Sequence, residues 1–441
     1  MDSLMRLSPS DKVFCNSPWY ELHIYWDGSL AFCCHASPAL PYPVAERTQY
    51  NIKNMTIAEW YRSKPMQSAR QRMFSKDRWD HCQACWYEES VNNTSRRYRS
   101  NQKSVIFTKE NFYESFEQSP GYEKFTSPDY QGLPIDLHID LGNYCNLACK
   151  MCTPAASSRI ASQHRQWKLS TDVAVDWTQD DIVWKRFLNE LVSLPKLQNI
   201  HFMGGETLIQ PRFEELVDFL IARNQTSVCL SFVTNGTVYN EGLIQKLKQF
   251  SRVGLEVSIE TLSDTNNYIR QGTDTDQVLK NIQRYQQECN GTSITLTLRP
   301  APGLLSARDY WQVIKLALDQ QLLIKSNIVT NPSFLAIEAL PLSIRAGYIE
   351  PYTKLIADYN LDSVSLSQDY NESDPNNYRA TARQQIAQII AMLELPNPNN
   401  QKLLLTQLCQ HLQAWDGVFG FDARIVYPEL NALLTSYGYC V

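Results

Sequence analysis

Leu137-His-Ile-Asp-Leu-Gly-Asn-Tyr-Cys145-Asn-Leu-Ala-Cys149-Lys-Met-Cys152 is an apolar strand that runs straight into three closely spaced cysteines. From this stretch onward strands alternate with helices, the signature of a parallel sheet built from βα units. Strands are expected at 135–141, 199–203, 228–233, 254–259, 293–298 and 324–329. Helical segments lie between them; in 180–194, Val183, Phe187, Leu188 and Leu191 share one face and acidic residues occupy the first turn. Six such units predict an open, incomplete barrel. In parallel βα arrays functional groups gather in the loops that follow the strands. The first strand ends at the three cysteines, the second at Gly204-Gly205-Glu206 and the third at Thr234-Asn235-Gly236, while the fourth carries Ser258 and Glu260.

Three thiolates can hold three irons of a four-iron cluster and leave the fourth open to a small ligand, whereas a structural zinc normally takes four ligands. A second group of cysteines lies near the start of the chain. The β-rich runs 20–26 and 29–34 flank Asp27-Gly28, a tight-hairpin signal, so Cys33 falls near a strand end. Cys15 precedes the hairpin, and Cys82-x2-Cys85 follows a helical stretch that begins near Thr56. These four thiolates, from three separate places, could close around one metal centre, either an iron–sulfur cluster or a zinc. Cys34 should point away from Cys33, because neighbours on a strand face opposite sides. Cys229, Cys289 and Cys409 read as packing thiols and Cys440 as a terminal one.

The 441 residues, 43% hydrophobic and 20% charged, are enough for two or three soluble domains. We divide them into a cluster module at 1–90, a connector at 91–133, the βα region at 134–341 and a helical region at 342–441. Helices are expected there at 343–360, 380–395 and 402–415. The connector is polar and aromatic, with a basic tract from Arg96 to Lys103 that reads either as a solvated linker or as a wall of a substrate site. A net charge of -5 argues against a dedicated nucleic-acid binder. With no basic start followed by an apolar run, and no apolar stretch of membrane-spanning length, the expected location is the cytoplasm.

In this context Cys145-x3-Cys149-x2-Cys152 resembles the radical S-adenosylmethionine (radical SAM) superfamily, over roughly Pro134 to Pro341. The resemblance implies an α/β fold: a partial (β/α)6 barrel with a small N-terminal hairpin-and-helix cluster module and a C-terminal helical region. It implies a [4Fe-4S] cluster on the three cysteines, and SAM bound through its amino and carboxylate groups. Met151 would lie beside the adenine, Gly204, Gly205 and Glu206 would receive the methionyl amino group, Thr234 would join the polar wall, and Ser258 or Glu260 would lie near the ribose. Arg270 is placed like a basic residue that meets the methionyl carboxylate. Cys15, Gly28, Cys33, Cys82 and Cys85 are similar to the twitch or SPASM type of module, which implies one auxiliary [4Fe-4S] cluster. Here the module precedes the barrel instead of following it. The implied activity is reductive cleavage of SAM to a 5'-deoxyadenosyl radical that takes a hydrogen from a substrate, with a flavodoxin- or ferredoxin-type electron donor. A peptide is the first expectation for that substrate; a carbohydrate, nucleoside or small metabolite, or a non-catalytic iron–sulfur or zinc scaffold, are the alternatives.

Overall fold

The hairpin forms where Asp27-Gly28 signals it. Strand β1 (Glu21–Ile24) pairs antiparallel with β2 (Leu30–Ala31), and Gly28 at its turn has φ +88°. A Cβ at that glycine would stand 2.6 Å from Asn51 Oδ1, so no larger residue fits without a shift. Here the structure goes beyond the sequence. The other edge of β1 lies parallel to β3 (Asp136–Asp140), with Leu22 opposite Leu137 and His23 opposite His138. The hairpin therefore extends the parallel sheet instead of forming a separate ribbon.

The protein is described by a computed structural model over residues 13–36, 49–73, 78–92, 95–98, 100–101, 132–167, 176–364 and 374–440. It comprises two compact units, the first made of 1–143, 173–205 and 210–231, the second of 144–172, 206–209 and 232–441. In the first unit, β5 (Asn199–Met203) runs parallel to β3, so the order is β2-β1-β3-β5. Leu22, Ile24, Leu137, Ile139, Ile200 and Phe202 are fully buried on one face of this sheet. The opposite face is also covered but polar: Asn199 donates to Asp136 at 2.7 Å, and His23 Nε2 lies 3.4 Å from Asp140.

Into that polar face comes the basic tract. Arg96 pairs with Glu21 and its Nη2 lies 2.9 Å from His138 Nε2, while Ser95, Arg97, Ser100 and Asn101 are buried. The solvated-linker reading therefore fails for 95–98, 100 and 101. A buried carboxylate such as Glu21 needs a counter-charge, and the guanidinium supplies it. The rest of the connector, 102–131, lies outside the described residues.

Strand β6 (Cys229–Thr234) carries the chain from the first unit into the second. There, β7 (Val253–Val257), β9 (Ile294–Leu298) and β10 (Leu323–Ile324) are parallel neighbours in that order. Two short strands, β4 (Ala148–Cys149) and β8 (Arg270–Gln271), pair antiparallel apart from them. The last strand is much shorter than the expected 324–329. Past Ile324 its neighbours on the β9 side are Pro300 and Pro302, which have no N–H to continue a ladder. Their carbonyls still accept from Asn327 and Val329, so the segment follows the β9 loop without becoming a strand.

The C-terminal region is helical as expected, with Ile349–Asp358, Tyr378–Leu393 and Gln401–Phe419 as its longest pieces. The expected helix at 343–360 is broken: Leu342–Arg345 passes through a 3-10 turn, Ala346–Tyr348, before Ile349–Asp358 begins. Fully buried Arg345 donates to the carbonyls of Leu340, Met392, Leu393 and Leu395, of which Met392 and Leu393 are orphan carbonyls at the end of helix Tyr378–Leu393. Among the described residues no helix is long and apolar enough to cross a membrane.

Candidate functional site

In the second unit the cysteine triplet is held by its own loop. Cys145 N–H donates to Ser158 Oγ at 3.1 Å, Leu147 N–H approaches Cys145 Sγ at 3.5 Å, and Cys152 N–H closes a turn on the Cys149 carbonyl. Ser157 caps helix Ser158–Gln166 by accepting from Ile160 N–H, and its hydroxyl donates back to Leu147 O at 2.7 Å. The helix after the triplet is thereby fastened to the triplet's loop. Burial pushes the Cys145 thiol up to about 11 and the Cys152 thiol up to about 12. Bare thiolates are thus disfavoured here, and a metal that binds the three sulfurs must displace their protons.

Pairing of β4 with β8 sets Cys149 directly opposite Arg270. Arg270 donates from Nη1 to Glu260 Oε1 at 2.7 Å, while Glu260 Oε2 accepts from Ala301 N–H at 2.6 Å. Both side chains are buried, and their pairing offsets the cost of burying each charge. Burial still pushes the Glu260 carboxyl upward against the pull of Arg270.

Glu206 is 1% exposed and already well occupied. Its Oε1 accepts from Leu208 N–H and from the Thr234 hydroxyl, and its Oε2 from Asn235 N–H, at 3.1, 2.6 and 2.6 Å. It braces the loop after β5 against the end of β6, with Thr234 as a partner in that brace. Gly204 and Gly205, just before it in the chain, both have positive φ, +75° and +61°, a conformation glycine adopts without strain. Ser258 is buried and its N–H donates to the Thr234 carbonyl. Met151 is partly exposed on the triplet loop.

The structure also draws in residues that periodicity did not single out. Asn235 donates to Asn146 Oδ1 at 2.8 Å, and Asn146 donates to Thr237, so the triplet loop is tied to the loop after β6. Lys150, inside the triplet, donates to the Tyr268 carbonyl at 3.0 Å and lies 3.6 Å from Asp416, on the long helix Gln401–Phe419. The available signal was a charged residue inside a metal motif and a lone aspartate among the buried positions of an apolar helix.

In the first unit, Cys15, Cys33, Cys82 and Cys85 line one pocket together with Phe32, His35, Ala36 and Arg97. Cys34 points elsewhere, its sulfur lying near Glu21 and His138. Arg97 grips Glu89 with Nε and Nη2, at 2.9 and 2.8 Å, and donates from Nη1 to the Phe14 carbonyl. Burial pushes the Cys82 thiol up to about 12. Four soft sulfurs around a space with apolar Phe32 and Ala36 on its wall fit an iron–sulfur cluster or a zinc; a hard cation would seek oxygens.

Residues 139–301 match the radical SAM superfamily, and residues 15–86 match SPASM, an iron–sulfur cluster-binding domain. The chain carries a radical SAM domain and, before it, a SPASM domain. Radical SAM domains bind a [4Fe-4S] cluster and SAM, and SPASM domains bind auxiliary iron–sulfur clusters. The chain is similar to Streptococcus suis SuiB bound to precursor peptide SuiA, at 14% identity and a TM-score of 0.38, over 60% of this chain and 53% of that one. It is also similar to anSMEcpe with bound AdoMet, at 16% identity and a TM-score of 0.40, over 52% and 62% of the two chains. It thus spans about half to three fifths of the length of these solved structures. No curated protein matches the sequence.

Proposed function

We propose that this chain is a radical SAM enzyme that acts in the cytoplasm on a peptide, from which it abstracts a hydrogen atom. Cys145, Cys149 and Cys152 would hold the SAM-binding cluster, and Cys15, Cys33, Cys82 and Cys85 one auxiliary [4Fe-4S] cluster. The observation that carries the two-cluster reading is the convergence of four cysteines from three chain segments on one pocket. The peptide reading rests on the resemblance to radical SAM enzymes with auxiliary clusters, many of which modify peptides.

Once bound and reduced, the SAM-binding cluster supplies the electron that splits SAM. The protein's part is to place SAM and the substrate. Arg270, fixed by Glu260, keeps its Nε buried without a hydrogen-bond partner, so a donor is left for the methionyl carboxylate. Glu206 holds its own turn to the end of β6 through Leu208, Thr234 and Asn235; by the resemblance, the Gly204-Gly205-Glu206 motif would receive the methionyl ammonium. Ser258 and Glu260 stand at the end of β7 for the ribose, and Met151 offers an apolar contact to adenine. The electron donor would be a small flavodoxin- or ferredoxin-type protein.

Anaerobically reconstituted protein should carry about eight irons, four per cluster, and release 5'-deoxyadenosine from SAM with dithionite. Deuterium should then pass into 5'-deoxyadenosine from a perdeuterated peptide pool but not from perdeuterated sugars or nucleosides. Transfer from the sugars alone would overturn the peptide reading, and zinc in place of iron would overturn the cluster assignment.

A further inference from the structure

The long helix Gln401–Phe419 lies beyond both family matches, 15–86 and 139–301, yet one of its faces packs on the cysteine-triplet loop. Trp415 forms a small core with Ala148 and Ile160, against which Cys152 and Phe419 pack. One turn earlier, His411 Nε2 lies 3.1 Å from the Lys150 carbonyl. Next to Trp415, Asp416 has no exposure at all and collects four groups. It accepts from the Tyr268 hydroxyl at 2.9 Å, the Tyr439 hydroxyl at 2.7 Å and Ala423 N–H at 3.0 Å, and its other oxygen lies 3.6 Å from the Lys150 ammonium. That ammonium is centred 3.7 Å over the Tyr268 ring and donates to the Tyr268 carbonyl.

Lys150 sits between two cysteines of the triplet, and Tyr268 sits two residues before Arg270. Asp416 therefore holds the residue that follows β4, Lys150, and one just before β8, Tyr268, on either side of the pairing that sets Cys149 opposite Arg270. A fully buried ion pair is a costly way to hold a fold together, since apolar residues of the same shape usually serve as well. What it provides here is a fixed position for two backbones.

We infer that the His411, Trp415, Asp416 and Phe419 face of the C-terminal helix is a built part of the SAM-cluster site: Asp416 is a positioning residue acting through Lys150 and Tyr268, and Trp415 shields the Cys152 side of the cluster from solvent. Outer partners of metal ligands commonly change affinity or activity by about 10-fold to 100-fold, and the apolar wall of a site controls access to it. The role is independent of what the substrate is.

The test uses full-length reconstituted protein and reads the cluster itself. In Trp415→Ala the reduced cluster's electron paramagnetic resonance signal should keep its intensity under argon, but the SAM-cluster absorbance should bleach in air about tenfold faster than wild type. In Asp416→Asn, which keeps the shape of the side chain, the SAM concentration that half-shifts that signal should rise about tenfold. Val418→Ala, on the exposed side of the same helix, is the control and should match wild type in both. Should Trp415→Ala fail to fold, Trp415→Leu keeps an apolar filler and tests the same wall. Wild-type bleaching in the folded Trp415 variant, together with a wild-type SAM midpoint in Asp416→Asn, overturns the inference. Absence of iron from wild-type protein would instead remove the cluster assignment itself.

Discussion

Arg270 stands directly across a two-residue strand pairing from Cys149, and its guanidinium is pinned by Glu260 at 2.7 Å. A cation is thus fixed beside one of the three cysteines, with one face of its fork taken and its Nε left over. In Arg270→Lys the charge survives and the planar fork does not. Iron content should be unchanged, and the SAM midpoint should rise at least about tenfold, the scale of one lost charge-assisted hydrogen bond of about 1.5–3 kcal/mol. A SAM titration at the wild-type midpoint would count against the assignment of Arg270 to the methionyl carboxylate.

Separate replacement of the two cysteine sets should remove separate clusters. Cys149→Ala is expected to abolish SAM cleavage and leave about four irons per chain, and Cys82→Ala to leave about four as well while SAM still shifts the remaining signal. Iron analysis with spectroscopy checks this. Unchanged iron in Cys82→Ala would mean that the N-terminal pocket holds no cluster.

Glu206 is a test of bracing. Its carboxylate accepts from Leu208 N–H, Asn235 N–H and the Thr234 hydroxyl, so Glu206→Gln turns one acceptor into a donor that faces a donor. A loss of about 1–3 kcal/mol is expected, the cost of a buried polar group left unmatched. Chemical denaturation of the metal-free protein measures it, and a wild-type midpoint would argue that the brace is not needed.

His411 gives a pH signature in the acid range. Burial against Lys150 and the neighbouring rings pulls it down from 6.5 to about 4, so it is neutral in the folded protein. Its folded value is depressed, so its contribution to stability is complete above about 6.5 and is lost as the pH falls toward about 4. The stability of metal-free protein should decline over that window, and in His411→Gln the decline should be smaller. Identical slopes for the two proteins would exclude His411 as its source.

Much of the fold could be read locally. The strands β3, β5, β7 and β9 appear within a residue or two of where alternating and apolar runs put them, because each segment's own side chains decide its period. The last strand did not, since its length depends on whether β9 can offer N–H groups beyond Leu298, and the prolines there cannot. The solvated-linker reading of the basic tract failed for a related reason. Arg96 and Arg97 look like solvated charges until Glu21, His138 and Glu89 are brought beside them from elsewhere in the chain.

By itself, then, the sequence determined the triplet spacing, the glycine-dependent hairpin and the period of each βα segment, all set by residues within a few positions of one another, and it showed that a second set of cysteines lies near the start of the chain. Tertiary structure alone decided that β1 joins β3, that Arg270 faces Cys149 and that Asp416 reaches back across the chain to Lys150. Such placements follow from the need of each buried charge and backbone group to find a partner once water is gone, and that partner can lie hundreds of residues away.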